Sequence, residues 1–176
     1  MPGYVYAEIN SPALDTLRRN IPQRAIADTL PDWCKTGIED HSHCTLYFGI
    51  NPEVTFENMY DRFWQFFGRH LPMVFHPEGL SMFEAPDWDC LIVAASKAYS
   101  KPLHILNASF QRTFAYKGSE YDFTPHVTIA YLKKGLGKEY IKMFKTDLIR
   151  LRPLPFDQVF VSLDSDPKPR IFPLGL

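Results

Sequence analysis

Two short segments, His43-Cys44-Thr45-Leu46-Tyr47-Phe48 and His126-Val127-Thr128-Ile129-Ala130-Tyr131, repeat one pairing of an imidazole with a hydroxyl. Alternate side chains of a strand share a face, so each His projects beside its Thr, with Cα atoms roughly 6 to 7 Å apart. The residues between them then point the other way, into a core. Two imidazoles suit a reaction in which one group removes a proton and another delivers one. An unperturbed pKa of about 6.5 leaves both protonation states accessible near neutrality. Cleavage of a phosphodiester is such a reaction, and the hydroxyls of Thr45 and Thr128 are suited to hold its charged non-bridging oxygens. A single His-x-Thr is more often structural; two copies, 83 residues apart in a chain of 176, point to a shared function.

The elements that must carry these pairs follow from periodicity and breakers. Tyr4 to Ile9 reads as a strand, and Ser11-Pro12 opens a helix with Leu14 and Leu17 inward. Gln23 to Ser42 loses periodicity and reads as a long flexible loop carrying Trp33. His43 to Ile50 is a strand. Thr55 then caps a helix whose residues Phe56, Met59, Tyr60, Phe63, Trp64, Phe66 and Phe67 form an apolar stripe up to Gly68. Met73 to Phe83 suggests one strand or a broken pair, Asp89 to Ala95 a buried strand, and Ser100 to Phe114 a second long helix. The strand His126 to Leu132, a helix over Lys138 to Leu148, and short strands at Val159 to Leu163 and Arg170 to Pro173 complete the chain. The half-chain spacing of the two motifs suggests two similar α+β lobes within a single domain spanning residues 1–176.

Composition limits the partners. Hydrophobic residues make up 45% of the chain, enough for a sizeable core, and lysine plus arginine (19) nearly balance aspartate plus glutamate (20). The net charge of -1 offers no broad attraction to a long duplex or an anionic bilayer, so a nucleic-acid ligand is expected to be small. The cysteines Cys34, Cys44 and Cys90 are odd in number and widely spaced, as expected of free thiols in a reducing compartment. Met1-Pro2-Gly3-Tyr4 shows no basic segment leading into an apolar run, and no apolar stretch approaches the ~20 residues of a membrane span. The expected location is the cytoplasm.

Other residues carry two readings each. Strand alternation places Tyr47 on the face of His43 and Thr45, where it either touches ligand or lines the cleft. Trp33, Tyr116 and Tyr121 lie in loops before the two motif strands, where they either stack on bases or pack on their own lobe. Lys117, Lys133 and Lys134 either attract phosphates or remain solvated. His41 and His43 share a face, but no third ligand of suitable spacing stands nearby, so no metal site is expected.

HCTLYF and HVTIAY resemble the paired H-x-T-hydrophobic motifs of the 2H phosphoesterase superfamily. That superfamily includes bacterial 2′-5′ RNA ligase-like proteins, cyclic nucleotide phosphodiesterases, viral 2′,5′-oligoadenylate phosphodiesterases and phage anti-CBASS nucleases. The similarity extends to the strand Trp88-Asp89-Cys90-Leu91-Ile92-Val93 and to the run from Tyr121 to Gly135, which is most like phage and prophage members. The resemblance implies an α+β, bilobal fold: two pseudo-symmetric lobes of antiparallel sheet, helices outside, and a central cleft. It implies acid/base roles for His43 and His126, phosphate binding by Thr45 and Thr128, and no metal or other cofactor. The expected substrate is a small cyclic or short oligonucleotide, a second messenger of antiviral signalling, met in the host cytoplasm if the chain is phage-encoded. A 2′,5′-oligonucleotide, a 2′,3′-cyclic phosphate, and a binding sponge without turnover are the alternatives. The residues do not speak to oligomeric state.

Overall fold

The computed structural model describes residues 3–31, 34, 36–114, 122–144, 151–166 and 168–175. Strand β1 (Gly3–Glu8) buries Gly3, Val5 and Ala7 and turns Tyr4, Tyr6 and Glu8 to the opposite face. Pro12 preorganises the first turn of α1 (Pro12–Arg19), which buries Leu14, Leu17 and Arg18. Strand β2 (His43–Ile50) has the bounds read from the sequence. Helix α2 (Phe56–Gly68) starts where the Asn58 carboxamide oxygen accepts from the Thr55 N–H at 3.2 Å. Its Phe56, Phe63, Phe66 and Phe67 are buried, whereas Tyr60 and Trp64 stack on one another at the surface and rest on Phe172.

The segment from Met73 onward is a broken pair, β3 (Met73–Phe75) and β4 (Pro77–Glu84). It is followed by β5 (Trp88–Ala95), α3 (Lys101–Phe114), β6 (His126–Lys133) and α4 (Gly137–Met143). The expected end of α4, at 145–148, lies outside the described residues. The tail supplies β7 (Leu154–Phe156), β8 (Gln158–Ser162) and β9 (Arg170–Pro173). Strand β7, not expected from the sequence, pairs with β3 in a separate two-stranded sheet.

The remaining strands form one antiparallel sheet in the order β4-β5-β6-β2-β1-β8-β9. The run β1-α1-β2-α2 is matched by β5-α3-β6-α4, so a pseudo-twofold axis falls between β2 and β6. The core lies on one face of this sheet, where Leu14 and Leu17 of α1, the α2 phenylalanines, Leu103, Leu106 and Phe110 of α3 and Tyr140 of α4 meet Val5, Cys44, Leu91 and Val127. Helices on one face leave part of the other open as the cleft, and Cys34, Cys90, Ile92 and Tyr131 form a second, smaller buried cluster. Among the described residues no helix is long and apolar enough to cross a membrane.

The described residues between Gln23 and Ser42 include several that pair with β6. After a short 3₁₀ turn at Gln23–Ala25 the chain bridges β6 at Ile26↔Leu132 and Ile38↔Ala130. The Ala27 N–H donates to the Tyr131 carbonyl at 3.0 Å, and the Tyr131 N–H to the Gly37 carbonyl at 2.7 Å. Gly37 has φ +74°, and a Cβ there would overlap the Ile26 side chain, so this approach requires glycine.

Candidate functional site

Strands β2 and β6 both begin with histidine and run antiparallel, and a single register pair, Cys44↔Val127, joins them. They therefore overlap only at their first residues. His43 stands opposite Thr128 and Thr45 opposite His126, with Cys44 and Val127 fully buried beneath. The two histidines are diagonal neighbours across this crossing, about 7–8 Å between Cα atoms. Their proximity is felt electrostatically, since the His43 charge disfavours protonation of His126. All four polar side chains share the face opposite the core.

Both motif strands break their alternation just after the threonine. Tyr6 pairs with Thr45 and Val5 with Tyr47, leaving Leu46 without a partner on β1. Ile92 pairs with Thr128 and Leu91 with Ala130, leaving Ile129 without a partner on β5. Each strand thus carries a bulge at the same place, which sends two successive side chains inward: Leu46 and Tyr47, then Ile129 and Ala130. This is the physical reason for a hydrophobic residue after each His-x-Thr. The carbonyls of the extra residues are satisfied from outside the ladder. Leu46 O accepts from Asn107 Nδ2 of α3 at 2.7 Å, and Ile129 O from the Glu39 N–H at 3.3 Å. Arg18 on α1 donates to Ser42 Oγ at 2.6 Å, and makes long contacts with the Thr128 carbonyl (3.5 Å) and Asp15 Oδ1 (3.3 Å). The chain just before the first motif and the backbone of the second are thereby held by one buried side chain.

The histidines are oriented alike. His43 Nδ1 lies 3.2 Å from the His41 carbonyl and His126 Nδ1 2.6 Å from the Thr124 carbonyl, each two residues earlier. A carbonyl only accepts, so Nδ1 carries the proton and Nε2 is left to accept one or, when charged, to donate one. Each ring is braced edge-on by an aromatic of its own half: Tyr6 at 5.4 Å from His43, and Phe83 at 4.8 Å from His126. Burial pushes the His126 pKa below its usual value, the Thr124 hydrogen bond opposes this, and the His43 charge adds to the lowering.

The fold has solved counterparts. Kluyveromyces marxianus Usb1 superposes with a TM-score of 0.60 over 98% of this chain and 97% of its own, at 11% identity. The same protein solved with uridine monophosphate gives 0.58, at 10% identity and 98% coverage of both chains. The fold is that of Usb1. Escherichia coli LigT complexed with 3′-AMP aligns over 99% of this chain and 96% of its own with a TM-score of 0.48 and 16% identity. No protein-family model matches the chain, and no curated protein does so either.

The structure gathers His43, Thr45, His126 and Thr128 and parts them from Tyr47. The bulge at Leu46 turns Tyr47 into the core, 3% exposed, with its ring 4.8 Å from that of Phe110, which corrects the expectation that it shares the His43 face. Trp33, Tyr116, Tyr121 and Lys117 lie outside the described residues. Lys133 and Lys134 are engaged in ion pairs, with Asp28 at 3.0 Å and with Asp89 at 3.2 Å. Among the described residues no group of three or more His, Cys, Asp or Glu is placed to hold a metal ion. All three cysteines are buried free thiols, and burial pushes Cys44 and Cys90 up to about 12, which removes them as nucleophiles.

Sequence reasoning missed Tyr6. It stands opposite Thr45, stacks on Phe160 of β8 at 5.1 Å and 17°, and lies 5.4 Å from Tyr4, so an aromatic wall flanks the His43 side of the face. The alternation Tyr4-Val5-Tyr6 was its available signal. Burial and the neighbouring Tyr4 and Glu8 raise the Tyr6 phenol to about 12, so it stays neutral.

Proposed function

We propose that the chain is a phosphodiesterase of the 2H type, acting on nucleotides, with His126 as general base and His43 as general acid. The observation that carries this reading is the crossing of β2 and β6, which sets two Nδ1-anchored imidazoles and two threonine hydroxyls on one face. A phosphate between the strands meets Nε2 from opposite sides while Thr45 and Thr128 donate to its non-bridging oxygens. His126, braced by Phe83 and partly withdrawn from water, is held neutral and takes the proton from a ribose 2′-OH. The 2′-oxygen forms its bond to phosphorus, the bond to the leaving 5′-oxygen breaks, and His43 delivers the proton to that oxygen. No proton transfer in this scheme requires a metal.

Two features favour a nucleotide. Tyr4, Tyr6 and Phe160 offer stacking surface beside His43, and Usb1, whose fold the chain shares, has been solved with uridine monophosphate. With a net charge of -1, the chain suits a compact ligand, a cyclic di- or oligonucleotide met in the cytoplasm, and acts as one bilobal domain.

The test is a multiple-turnover assay with product identification. It compares a cyclic dinucleotide with its 2′-deoxy analogue, a linear 2′,5′-oligoadenylate, a 2′,3′-cyclic mononucleotide and a long RNA. The cyclic dinucleotide is cleaved, its 2′-deoxy analogue is not, and chelators leave the rate unchanged. His43→Ala and His126→Ala each lower turnover by about 10²-fold or more. Return of every ligand intact would refute catalysis and leave a binding sponge. Cleavage of only the 2′,5′-linked or 2′,3′-cyclic molecule would move the substrate to that class.

A further inference from the structure

The open face is not equivalent on its two sides. Beside His126 a groove of about 800 Å³ runs over β4 and β5 to the start of α3, a volume within the usual range for small-molecule sites of ~300–1,000 Å³. Its floor near the histidine is apolar, formed by Ile92, Ala94 and Phe83, and Thr124 and Pro125, the residues preceding His126, line the same end. Its far end carries Lys97, Lys101 and His104, against a single carboxylate in the lining, Glu78. Ala94 is the register partner of His126, and Lys97 follows three residues later, so Lys97 starts within roughly 10 Å of chain from the reacting site. That is the reach of about one nucleotide.

The charge of these lysines is uncommitted. Neither Lys97 nor Lys101 forms an ion pair among the described residues, and both are exposed. By contrast Lys133, Lys134 and Lys138, at the opposite end of β5 and β6, each face a carboxylate. In a chain of net charge -1, two free ammonium groups at the end of an apolar groove make a local site for an anion.

We propose that this groove holds the nucleoside next to the scissile phosphate and that Lys97 and Lys101 take the following phosphate. The preferred substrate then carries at least two phosphates, as a cyclic dinucleotide or a longer cyclic or linear oligonucleotide does, and a dinucleoside monophosphate is a poor one. The inference rests on the phosphodiesterase reading of the His/Thr face. Gly79 provides an independent handle: it lines the groove opposite Ala94, its φ lies outside the left-handed region, and a Cβ added there meets no atom within 4 Å. A β-carbon at this position has room, so a leucine there starts into the groove without a backbone clash.

The experiment measures kcat and KM for a cyclic dinucleotide and for a 3′,5′-linked dinucleoside monophosphate. Both are tested with the full-length wild type, with the Lys97→Ala/Lys101→Ala double variant and with Gly79→Leu. The wild type has the lower KM for the cyclic dinucleotide. The double variant raises that KM about tenfold or more relative to its effect on the monophosphate, and flattens its salt dependence. Gly79→Leu raises KM for both, with an unchanged melting temperature. If both substrates are cleaved and the lysine changes move the two KM values equally, or Gly79→Leu moves neither, the groove assignment is overturned and the phosphodiesterase reading stands. If the wild type cleaves neither, the groove assignment falls, and the phosphodiesterase reading falls with it only if the 2′,5′-oligoadenylate and the 2′,3′-cyclic mononucleotide are also returned intact.

Discussion

Asn107 tests whether the bulges place the threonines. Its Nδ2 donates to Leu46 O at 2.7 Å, 61 residues away in the chain, and Leu46 adjoins Thr45. Asn107→Leu keeps the shape of the side chain and leaves a half-buried carbonyl without its donor. An unsatisfied buried acceptor costs about 1–3 kcal/mol. The better helix propensity of leucine returns at most ~0.7 kcal/mol. The net loss, about 0.3–3 kcal/mol, lowers Tm by roughly 1–12 °C at 2–4 °C per kcal/mol for a chain of this length. Relaxation of the bulge also displaces Thr45, and if Thr45 holds the phosphate as proposed, a misplacement of about 1 Å costs on the order of 10²-fold in rate. Asn107→Asp, the same shape with only acceptors, should lose at least as much, whereas Ser109→Ala, removing an exposed 3.4 Å contact with Arg112 on the same helix, should be neutral. Thermal melts and kcat/KM on one nucleotide substrate decide it. Full activity and an unchanged Tm in both Asn107 variants would refute the claim that this bond holds the bulge.

Three further outcomes follow. Because burial lowers the His126 pKa, the acid limb of the pH–rate profile should fall below the ordinary histidine value of about 6.5, and Phe83→Ala, by opening that side to water, should move the limb upward; an unmoved limb would remove His126 as the base. Asp89 is buried, which alone would raise its pKa, but the N–H groups of Gly137 and Gly135 and the Lys134 ammonium outweigh this and hold it below the usual range. Its stabilisation is therefore full above the unfolded-state value of about 3.9 and is lost as pH falls through the lower folded value, so Asp89→Asn should be less stable than wild type at pH 7 by about 1.5–3 kcal/mol in chemical denaturation, with the gap closing in acid; a constant gap would contradict the assignment. Arg18→Met keeps the aliphatic packing but frees Ser42 and Thr128, so kcat should drop about tenfold with the fold retained by circular dichroism, and an unchanged kcat would show that Arg18 does not position the motifs.

What the sequence made legible and what it concealed divide along a physical line. Strands β2 and β9 and helix α2 were readable because their period and punctuation are local: alternation from His43, Thr55 before Phe56, Gly68 at the end. The four side chains of the candidate site were readable for the same reason. Strict alternation, however, cannot show a bulge, so Tyr47 was placed on the wrong face; the bulge depends on the register with β1 and on a donor from α3. The segment Gln23 to Ser42 has no period because it pairs through scattered backbone groups with β6, a contact about a hundred residues distant. Strand β7, three residues with Pro155 at its centre, is too short and too proline-marked to read as a strand without its partner β3.

The symmetry of the crossing and the asymmetry around it have different consequences. A perfect twofold would make the two imidazoles equivalent and give proton transfer no direction. The bulges, the Nδ1 anchors and the paired threonines obey the symmetry, as the proposed binding of one phosphate between the halves requires. The surroundings break it. His126 is braced by Phe83 and loses charge to burial, whereas His43 sits by Tyr6 and near Glu39, whose charged form is penalised by burial and stabilised by His43 and Arg18. Burial and the apolar brace of Phe83 disfavour the charged form of His126, which suits that imidazole to accept a proton. Under the proposed roles the same break would set the polarity of the substrate, with an aromatic wall beyond His43 and a groove ending in two lysines beyond His126. A nucleotide laid across the crossing would therefore meet different chemistry at its two ends, and under the proposed mechanism only one orientation would bring its 2′-OH to His126.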